Sequence, residues 1–327
     1  MQTTSLGMTQ LEVSRLAFGT WGLGGDWGVY DKREAVRAIR AARDLGINIF
    51  DTAQAYGFGS SERLVGCALA GELCAAREDV VIATKGGLRP TRHGVVRDSS
   101  PRWLERGVEE SLWALQVEYI DLFHVHWPDP SASFAEIAEC LQRLVDQGKI
   151  RHFGVSNFDA EQIDEFSRTR LAETVQPPYN LFHREIETDL LPYARDHDVG
   201  VLVYGPLAHG LLSGAVDEKT TFAPDDWRSR SPMFRGETFR RALDHVRELE
   251  GFARERGFTV AQLAIAWTLT HPSVHVAIVG SRHAAHVADA VAALDFELSA
   301  EDLAEIDLIA GGTMPTSVPV PESAEAA

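Results

Sequence analysis

The sequence is poor in cysteine, in basic side chains and in long apolar runs. Its three cysteines, Cys67, Cys74 and Cys140, cannot all pair with one another, and none are spaced closely enough to suggest zinc or redox chemistry. Thirty-one basic against forty-eight acidic side chains give a net charge of −17, which opposes binding to nucleic acid or an anionic membrane. No stretch approaches the roughly 18 apolar residues of a membrane span, and the first ten residues lack a signal-peptide pattern. We therefore expect a soluble, cytoplasmic, unprocessed protein.

Short apolar runs rich in β-branched residues are abundant, and segments of helical periodicity separate them. The helical segment before the second run, for example, has apolar residues at Ala35, Ile39, Ala42 and Leu45. The predicted strands span residues 15–19, 47–51, 80–85, 119–126, 151–156, 173–176, 200–204 and 274–280. Strands that alternate with helices predict a parallel sheet covered by helices, and eight such units predict one (β/α)8, or TIM, barrel.

Three segments fall outside this repeat. Residues 5–14 are expected to form a small N-terminal β-hairpin, and residues 213–237 a long loop after the seventh strand, with an extra helix in this part of the chain. Residues 313–327 are rich in Pro, Ser, Ala and Glu, so we expect a flexible tail or one draped over the surface. The predicted barrel domain spans residues 1–312.

Polar side chains end three successive predicted strands. Asp51 ends the second, Lys85 the third and His126 the fourth, and Tyr56 lies on the loop after Asp51. Catalytic groups of such barrels lie at the carboxyl ends of the strands. A neighbouring ammonium favours tyrosinate, so Lys85 is expected to lower the Tyr56 pKa, while Asp51 holds Lys85 and His126 binds a developing oxyanion. This group is suited to protonating a carbonyl oxygen while hydride reaches the carbon.

A metal-dependent barrel hydrolase is a second interpretation of the same strands. His124 and His126 are two residues apart and therefore point to the same side of their strand, as two metal ligands would. No third histidine is evident at another strand end, so we expect no metal and a packed or hydrogen-bonded role for His124.

A Gly-x-Gly-x-x-Gly dinucleotide fingerprint is missing: in "GTWGLGGDWG" the position of the third glycine is Trp27. Later strand ends offer other cofactor contacts. Amide and hydroxyl groups suited to a carboxamide, and a ring suited to stacking on nicotinamide, are provided by Ser156, Asn157, Gln176 and Tyr204. The glycines of "GPLAHGLLSG" allow backbone N–H groups to approach a pyrophosphate, and "GSR" opens the last helix of the barrel repeat. Arg282 favours a 2′-phosphate, and hence NADP(H).

Together these motifs resemble the aldo-keto reductase superfamily over about residues 3–310. The segments that carry the resemblance are "FDTAQAYGFGSSERLVG", "VIATKGG", "DLFHVHWPD", "GKIRHFGVSNF", "VQPPYNLFHRE", "YGPLAHGLLSG" and "IVGSRHAAHVADAVAAL". The insertion "TTFAPDDWRSRSPMFRGETFR" is similar to that of the bacterial inositol-catabolism branch. The resemblance implies a (β/α)8 fold, NADPH-dependent reduction of an aldehyde or ketone, and a catalytic tetrad of Asp51, Tyr56, Lys85 and His126, with Tyr56 as the proton donor.

The resemblance also implies a cofactor site. Its residues would be Gly19, Thr20, Trp21, Asp51, Ser156, Asn157, Gln176, Tyr204, Gly205, Pro206, Leu207, Gly210, Leu211, Gly214, Gly280, Ser281, Arg282, His286 and Asp289. The sequence departs from the family pattern at Gly205, where a serine is usual, and in the last helix, where His286, Asp289 and Ala290 replace a glutamine and an acid-amide pair.

Tryptophans fall into two groups. Trp21, Trp27, Trp127 and Trp227 lie on loops at the expected mouth, where the first three, with Tyr56 and His126, are predicted to contact a small carbonyl substrate. The others fall in helical patterns and are expected to pack: Trp103, Trp113 and Trp267.

The similarity to potassium-channel β subunits leaves one alternative function, a nicotinamide-nucleotide-binding regulatory module with slow turnover. The oligomeric state is left open.

Overall fold

The computed structural model describes residues 1–311 and 320–323. Its strands are β1 (Thr3–Ser5), β2 (Glu12–Ser14), β3 (Leu16–Gly19), β4 (Ile49–Asp51), β5 (Val81–Gly86), β6 (Leu88–Thr91), β7 (Gly94–Arg97), β8 (Ile120–Val125), β9 (Ile150–Ser156), β10 (Thr174–Gln176), β11 (Gly200–Tyr204), β12 (Val276–Gly280) and β13 (Glu322–Ser323). Its α-helices are α1 (Lys32–Asp44), α2 (Ser60–Ala68), α3 (Ala70–Ala75), α4 (Pro101–Leu115), α5 (Phe134–Asp146), α6 (Ala160–Ser167), α7 (Leu190–Asp196), α8 (Gly236–Glu255), α9 (Val260–Thr270), α10 (Ala284–Ala292) and α11 (Ala300–Ala310).

Eight of the strands close into a parallel barrel in the order β10, β11, β12, β3, β4, β5, β8, β9. Six of them lie within predicted runs, and β5 and β9 each extend one residue beyond theirs, at Gly86 and Ile150, so the (β/α)8 prediction is confirmed. Helices form because their apolar residues recur on one face. In α1, Asp31 caps the first turn by accepting a hydrogen bond from the Arg33 N–H, at 2.7 Å, and Ala35, Ile39 and Ala42 are buried against the barrel.

The inside of the barrel is apolar at its base and polar at its mouth. Ile49, Ala83 and Leu122 belong to the buried interior cluster, which Leu6 and Val13 of the N-terminal segment close from below. Because side chains two residues apart face the same way along a strand, the next interior layer consists of Asp51, Lys85 and His124. The strand register therefore gathers charged and imidazole side chains at the carboxyl end of the barrel.

The N-terminal hairpin starts slightly earlier than predicted: β1 pairs antiparallel with β2, with Thr3 opposite Ser14. A second hairpin, β6–β7, follows β5 and was not predicted, since its Gly, Pro and Arg content is typical of a loop. The tail predicted at residues 313–327 lies outside the described residues except for 320–323, where β13 runs parallel to β7. None of the described helices is long and apolar enough to cross a membrane.

The segment 213–237, predicted as a long loop, buries aromatic side chains. It contains two short 3-10 turns, Trp227–Ser229 and Pro232–Phe234, whose aromatic side chains are buried. Trp227 N–H donates to the Asp26 carbonyl, at 3.0 Å, so the segment is tied to the loop after β3. Helix α8 begins at the end of the segment, at Gly236, and α9 follows it. Because the loop after β3 leaves the carboxyl end of the barrel, the segment borders the barrel mouth.

Candidate active site

Asp51 and Lys85 form a buried ion pair at the barrel mouth. The Lys85 Nζ lies 2.7 and 2.9 Å from the two Asp51 carboxylate oxygens and also donates to the Thr52 carbonyl, at 2.9 Å. Lys85 is 1% exposed and Asp51 is 3% exposed. Burial lowers the pKa of the Lys85 ammonium, and the Asp51 carboxylate opposes that shift. A buried pair of this kind depends on both partners, because either charge left alone would be strongly disfavoured.

Tyr56 lies beside this pair on the turn between β4 and α2. The Lys85 Nζ is 5.2 Å from the centre of the Tyr56 ring, and the His126 ring meets the Tyr56 ring edge-to-face at 5.8 Å. Gly24 allows the loop after β3 to approach, since a Cβ there would lie 2.9 Å from the Tyr56 Cα. The structure thus brings all four residues predicted for the tetrad into one group.

The expected lowering of the Tyr56 pKa is wrong for this structure. Burial raises the pKa of Tyr56 well above its ordinary value, and the Asp51 carboxylate, Tyr204 and Asp26 raise it further. The sequence indicated both the Lys85 ammonium and the Asp51 carboxylate that holds it, but it could not indicate that burial would dominate the Tyr56 pKa. The phenol is therefore held in its neutral form, which has a proton to donate.

The two histidines of β8 and its end are buried and electrically neutral. Burial, assisted by the Lys85 charge, lowers the pKa of His126 well below its usual range and that of His124 to about 3. His124 Nε2 lies 3.0 Å from the Thr174 Oγ1, as expected for a hydrogen-bonded interior residue. Among the described residues, no group of three His, Cys, Asp or Glu side chains could hold a metal ion.

The amide and hydroxyl residues predicted for the carboxamide form one network with the ion pair. Gln176 Nε2 donates to Asp51 Oδ2 at 2.8 Å, and Ser156 Oγ donates to the Gln176 carbonyl at 2.9 Å. Asn157, in a left-handed conformation with φ 63°, donates to the His126 carbonyl and accepts from the Tyr204 hydroxyl, at 2.8 Å each. These side chains are fixed next to Asp51 and His126.

The predicted phosphate residues surround the mouth on the side of β11 and β12. Gly205, Gly210 and Gly214 have φ values of 70°, 96° and 75°, which favour glycine, while Leu211 is buried in the core. Gly19 lies opposite both Asp51 and Gly280 in the barrel, and Thr20 N–H and Oγ1 donate to the Asp51 carbonyl at 3.0 Å. These contacts hold the ends of β3, β4 and β12 together at the barrel mouth. Pro206 and Leu207 occupy the turn after β11.

Arg282 forms hydrogen bonds to another loop of the protein that the sequence did not indicate. Its guanidinium donates to the backbone carbonyls of Gly22, at 3.1 Å, and Trp27, at 2.7 Å, so it anchors the loop after β3. Ser281 Oγ donates to the His283 carbonyl at 2.8 Å. On α10, Asp289 accepts from Gln262 of α9 at 2.7 Å, and the exposed His286 contacts only the His283 ring among the described ring contacts.

An aromatic cluster, which we call the mouth cluster, lies next to Tyr56 and consists of Trp21, Trp27, His209 and Trp227. Trp21 lies between the Tyr56 ring, at 6.4 Å, and the Trp227 ring, at 5.5 Å, with the three rings roughly parallel. Trp127 has no described ring contact with this cluster. His209 was not predicted individually; it is buried at φ 57°. Its only sequence signal is its place in the glycine-containing segment after β11.

Comparisons with known proteins agree with this geometry. A model described as the Aldo/keto reductase family matches residues 15–310. The chain is 41% identical to "Aldo-keto reductase YhdN" of Bacillus subtilis, covering 96% of this chain and 95% of that protein, and 33% identical to the "NADH-specific methylglyoxal reductase" of Escherichia coli, covering 92% and 96%. A solved aldo/keto reductase from Klebsiella pneumoniae in complex with NADP and acetate is 31% identical, with a TM-score of 0.73 over 98% of this chain and 99% of that one.

Proposed function

The chain belongs to the aldo-keto reductase family, and on that premise we propose that it reduces an aldehyde or ketone to an alcohol with NADPH. The observation that carries the proposal is the contact of a neutral phenol, Tyr56, with the buried Asp51–Lys85 pair and the neutral His126 at the barrel mouth. Among the described residues, no other group of side chains at the mouth combines an acid, a hydrogen-bond donor for an oxyanion and a fixed positive charge.

Each residue of this group has a distinct task. The Tyr56 hydroxyl donates its proton to the carbonyl oxygen, and the N–H of the neutral His126 imidazole hydrogen-bonds the same oxygen as its negative charge develops. Lys85 then stabilises the tyrosinate that proton transfer leaves behind, and Asp51 holds the ammonium in place. Reduced nicotinamide, when bound, supplies the hydride that the carbonyl carbon receives. Proton to oxygen and hydride to carbon convert the carbonyl into an alcohol.

The donors around the mouth fit a nicotinamide dinucleotide. The Ser156, Asn157 and Gln176 side chains carry the hydroxyl and amide groups that a carboxamide needs, and Tyr204 presents a ring to stack on nicotinamide. The turn around Ala208, His209 and Gly210 is left-handed, and its glycine allows a pyrophosphate to approach the backbone closely. The loop after β12 opens α10 and offers further N–H groups for phosphate.

The mouth cluster supports a substrate with an apolar or planar part. Trp21 and Trp27 lie at the edge of the Tyr56 site, and the buried indole Nε1 atoms of Trp27 and Trp227 have no hydrogen-bond partner among the described residues. A substrate acceptor atom placed there would satisfy a donor that is otherwise unpaired. We infer that Trp27 contacts substrate more directly than Trp127, which is separate from the cluster.

Arg282 decides the preference for NADPH in this proposal. We expect Arg282→Ala to weaken NADPH binding about tenfold or more, because a charge-assisted contact to the 2′-phosphate is lost, and to weaken NADH binding much less. Fluorescence titration of both cofactors measures the two dissociation constants. NADH serves as the internal control, since the variant also frees the loop carbonyls of Gly22 and Trp27. Equal losses for both cofactors would mean that Arg282 only anchors the loop.

The proposed activity is tested by cofactor oxidation over a panel of aldehydes, ketones, quinones and sugars. With NADPH and NADH compared side by side, we expect repeated turnover with at least one carbonyl class. Metal analysis of the same preparation gives an independent check: activity that requires stoichiometric zinc or manganese would contradict the proposed acid chemistry and favour the hydrolase interpretation.

A further inference from the structure

A groove on the outer side of the barrel lies apart from the site described above. It has a volume of about 370 Å³ and runs between α2 and α4, behind the turn that carries Tyr56. We call it the α2–α4 groove and define it by six of its lining residues: Phe58, Arg63, Trp103, Arg106, Glu110 and Trp113. Its volume falls within the range of small-molecule sites, and no step of the proposed reduction uses it.

The walls of the groove are aromatic and open to solvent. Trp113 is 74% exposed, in contrast to the packing predicted for it, and Phe58 is 37% exposed on the facing wall. Trp103, Arg106, Glu110 and Trp113 follow one another at intervals of three or four along α4 and so line one face of that helix. The Trp103 indole N–H donates to the Leu88 carbonyl at 3.1 Å, which fixes its ring in place.

The charges in the groove leave one cation available. Glu110 is fully engaged, since its carboxylate accepts from Arg106 Nε at 2.7 Å and from Gln54 Nε2 at 2.9 Å. Among residues 1–311 and 320–323, no carboxylate lies within 4.0 Å of the Arg63 guanidinium. The Glu62 carboxyl also lines the groove and accepts a hydrogen bond from Thr84 at 2.7 Å; burial raises its pKa, and the nearby Arg63 charge opposes part of that shift. The groove therefore presents an exposed guanidinium, which has no carboxylate within ion-pair distance among the described residues, together with aromatic side chains.

We propose that the α2–α4 groove is a second ligand site, which binds a small planar aromatic anion. The ring packs against Trp103 and Trp113, and the carboxylate or phosphate pairs with Arg63. The site adjoins the catalytic turn, because Gln54 joins the two: its side chain donates to Glu110, while its backbone N–H donates to the Lys85 carbonyl at 3.0 Å. The proposal is independent of the reduction chemistry, since none of the groove-defining residues belongs to the tetrad.

Calorimetric titration of the full chain tests this site, with 2-naphthoate and 1-naphthyl phosphate as probes of the two anionic groups and neutral 2-naphthamide as the matched control. We expect saturable binding of at least one anion, which Arg63→Ala and Trp113→Ala each weaken about tenfold or more. The neutral amide should bind about tenfold more weakly than the anions or worse, because it lacks the negative charge that pairs with Arg63. The difference between the two anions shows which group Arg63 prefers.

Two further variants make the outcome decisive. Arg168→Ala removes a surface arginine that pairs with Asp164 away from the groove, and it should leave binding unchanged. Tyr56→Phe should also leave it unchanged, whereas binding in the barrel mouth would respond to Tyr56 and not to Arg63. Binding that is absent up to about millimolar probe, or unaffected by both groove variants, overturns the proposal. A dimer abolished by Trp113→Ala, without anion binding, overturns it in favour of a second copy of the chain.

Discussion

Tyr56→Phe should lower kcat for carbonyl reduction by about a hundredfold or more, because the variant keeps the ring and loses the hydroxyl proton that the proposed mechanism transfers to the carbonyl oxygen. The Phe ring can retain the contacts with Trp21 and His126, so NADPH binding should change little. Steady-state kinetics on the best substrate of the carbonyl panel measures the loss. Tyr193→Phe, which deletes a hydroxyl on α7 outside the site, is the matched control and should retain wild-type turnover.

The pH profile of the wild-type enzyme separates this role from a structural one. The acid is active when protonated, so reduction is lost as pH rises through the Tyr56 pKa, which burial and Asp51 place well above 10. We therefore expect kcat/KM for reduction to stay flat from about pH 6 to 9, with no fall near neutrality. A fall centred at pH 8 or below in a folded enzyme would contradict the raised Tyr56 pKa, and near-normal turnover of Tyr56→Phe would remove Tyr56 from the proposed role.

Lys85→Met should have the largest effect on stability. It leaves the Asp51 carboxylate buried without its ammonium, and such a change typically costs about 3–5 kcal/mol. Gln176 Nε2 still donates to Asp51 and offsets part of that cost. Urea denaturation of both proteins measures the difference in the free energy of unfolding. Reduction should fall as well, since tyrosinate formation loses its nearby positive charge.

The double variant Asp51→Asn/Lys85→Met distinguishes the charge from the packing. It removes both charges, so much of the lost stability should return while the activity stays low. A single variant within about 1 kcal/mol of wild type would show that the ion pair contributes little to the fold. A double variant with wild-type turnover would show that neither charge takes part in the reaction.

Much of the site follows from the sequence because it depends on local order. A strand that ends in Asp51, followed by one that ends in Lys85, brings these residues together in any parallel barrel, and the two-residue alternation along a strand fixes which side chains face inward. The identity of His126 as a neighbour of Tyr56 follows from the same repeat. These residues could be found without any knowledge of packing.

Other features depend on contacts between distant segments and could not be found in this way. Arg282 meets the Gly22 and Trp27 carbonyls across more than 250 positions of the chain, and Trp227 meets Trp21 across two loops that carry no strand register. The pKa of Tyr56 depends chiefly on the burial of its ring, which a motif does not reveal. The exposure of Trp113 likewise depends on what packs against α4.

Relatives of the chain differ in cofactor, since the Escherichia coli relative is named NADH-specific and the Klebsiella pneumoniae structure contains NADP. Family membership therefore supports a nicotinamide cofactor generally, and Arg282 carries the narrower proposal of NADPH. The departures at Gly205 and in α10 concern residues proposed to contact the cofactor and leave Asp51, Tyr56 and Lys85 untouched.

The most direct test of the central claim is the number of alcohol molecules formed per protein molecule when the full chain is given NADPH and the carbonyl panel. We predict many turnovers with at least one carbonyl class, one alcohol formed for each NADPH oxidised, and loss of that turnover in Tyr56→Phe. Stoichiometric NADPH binding with no more than a single turnover over the whole panel would contradict the claim and favour a nucleotide-binding regulatory module.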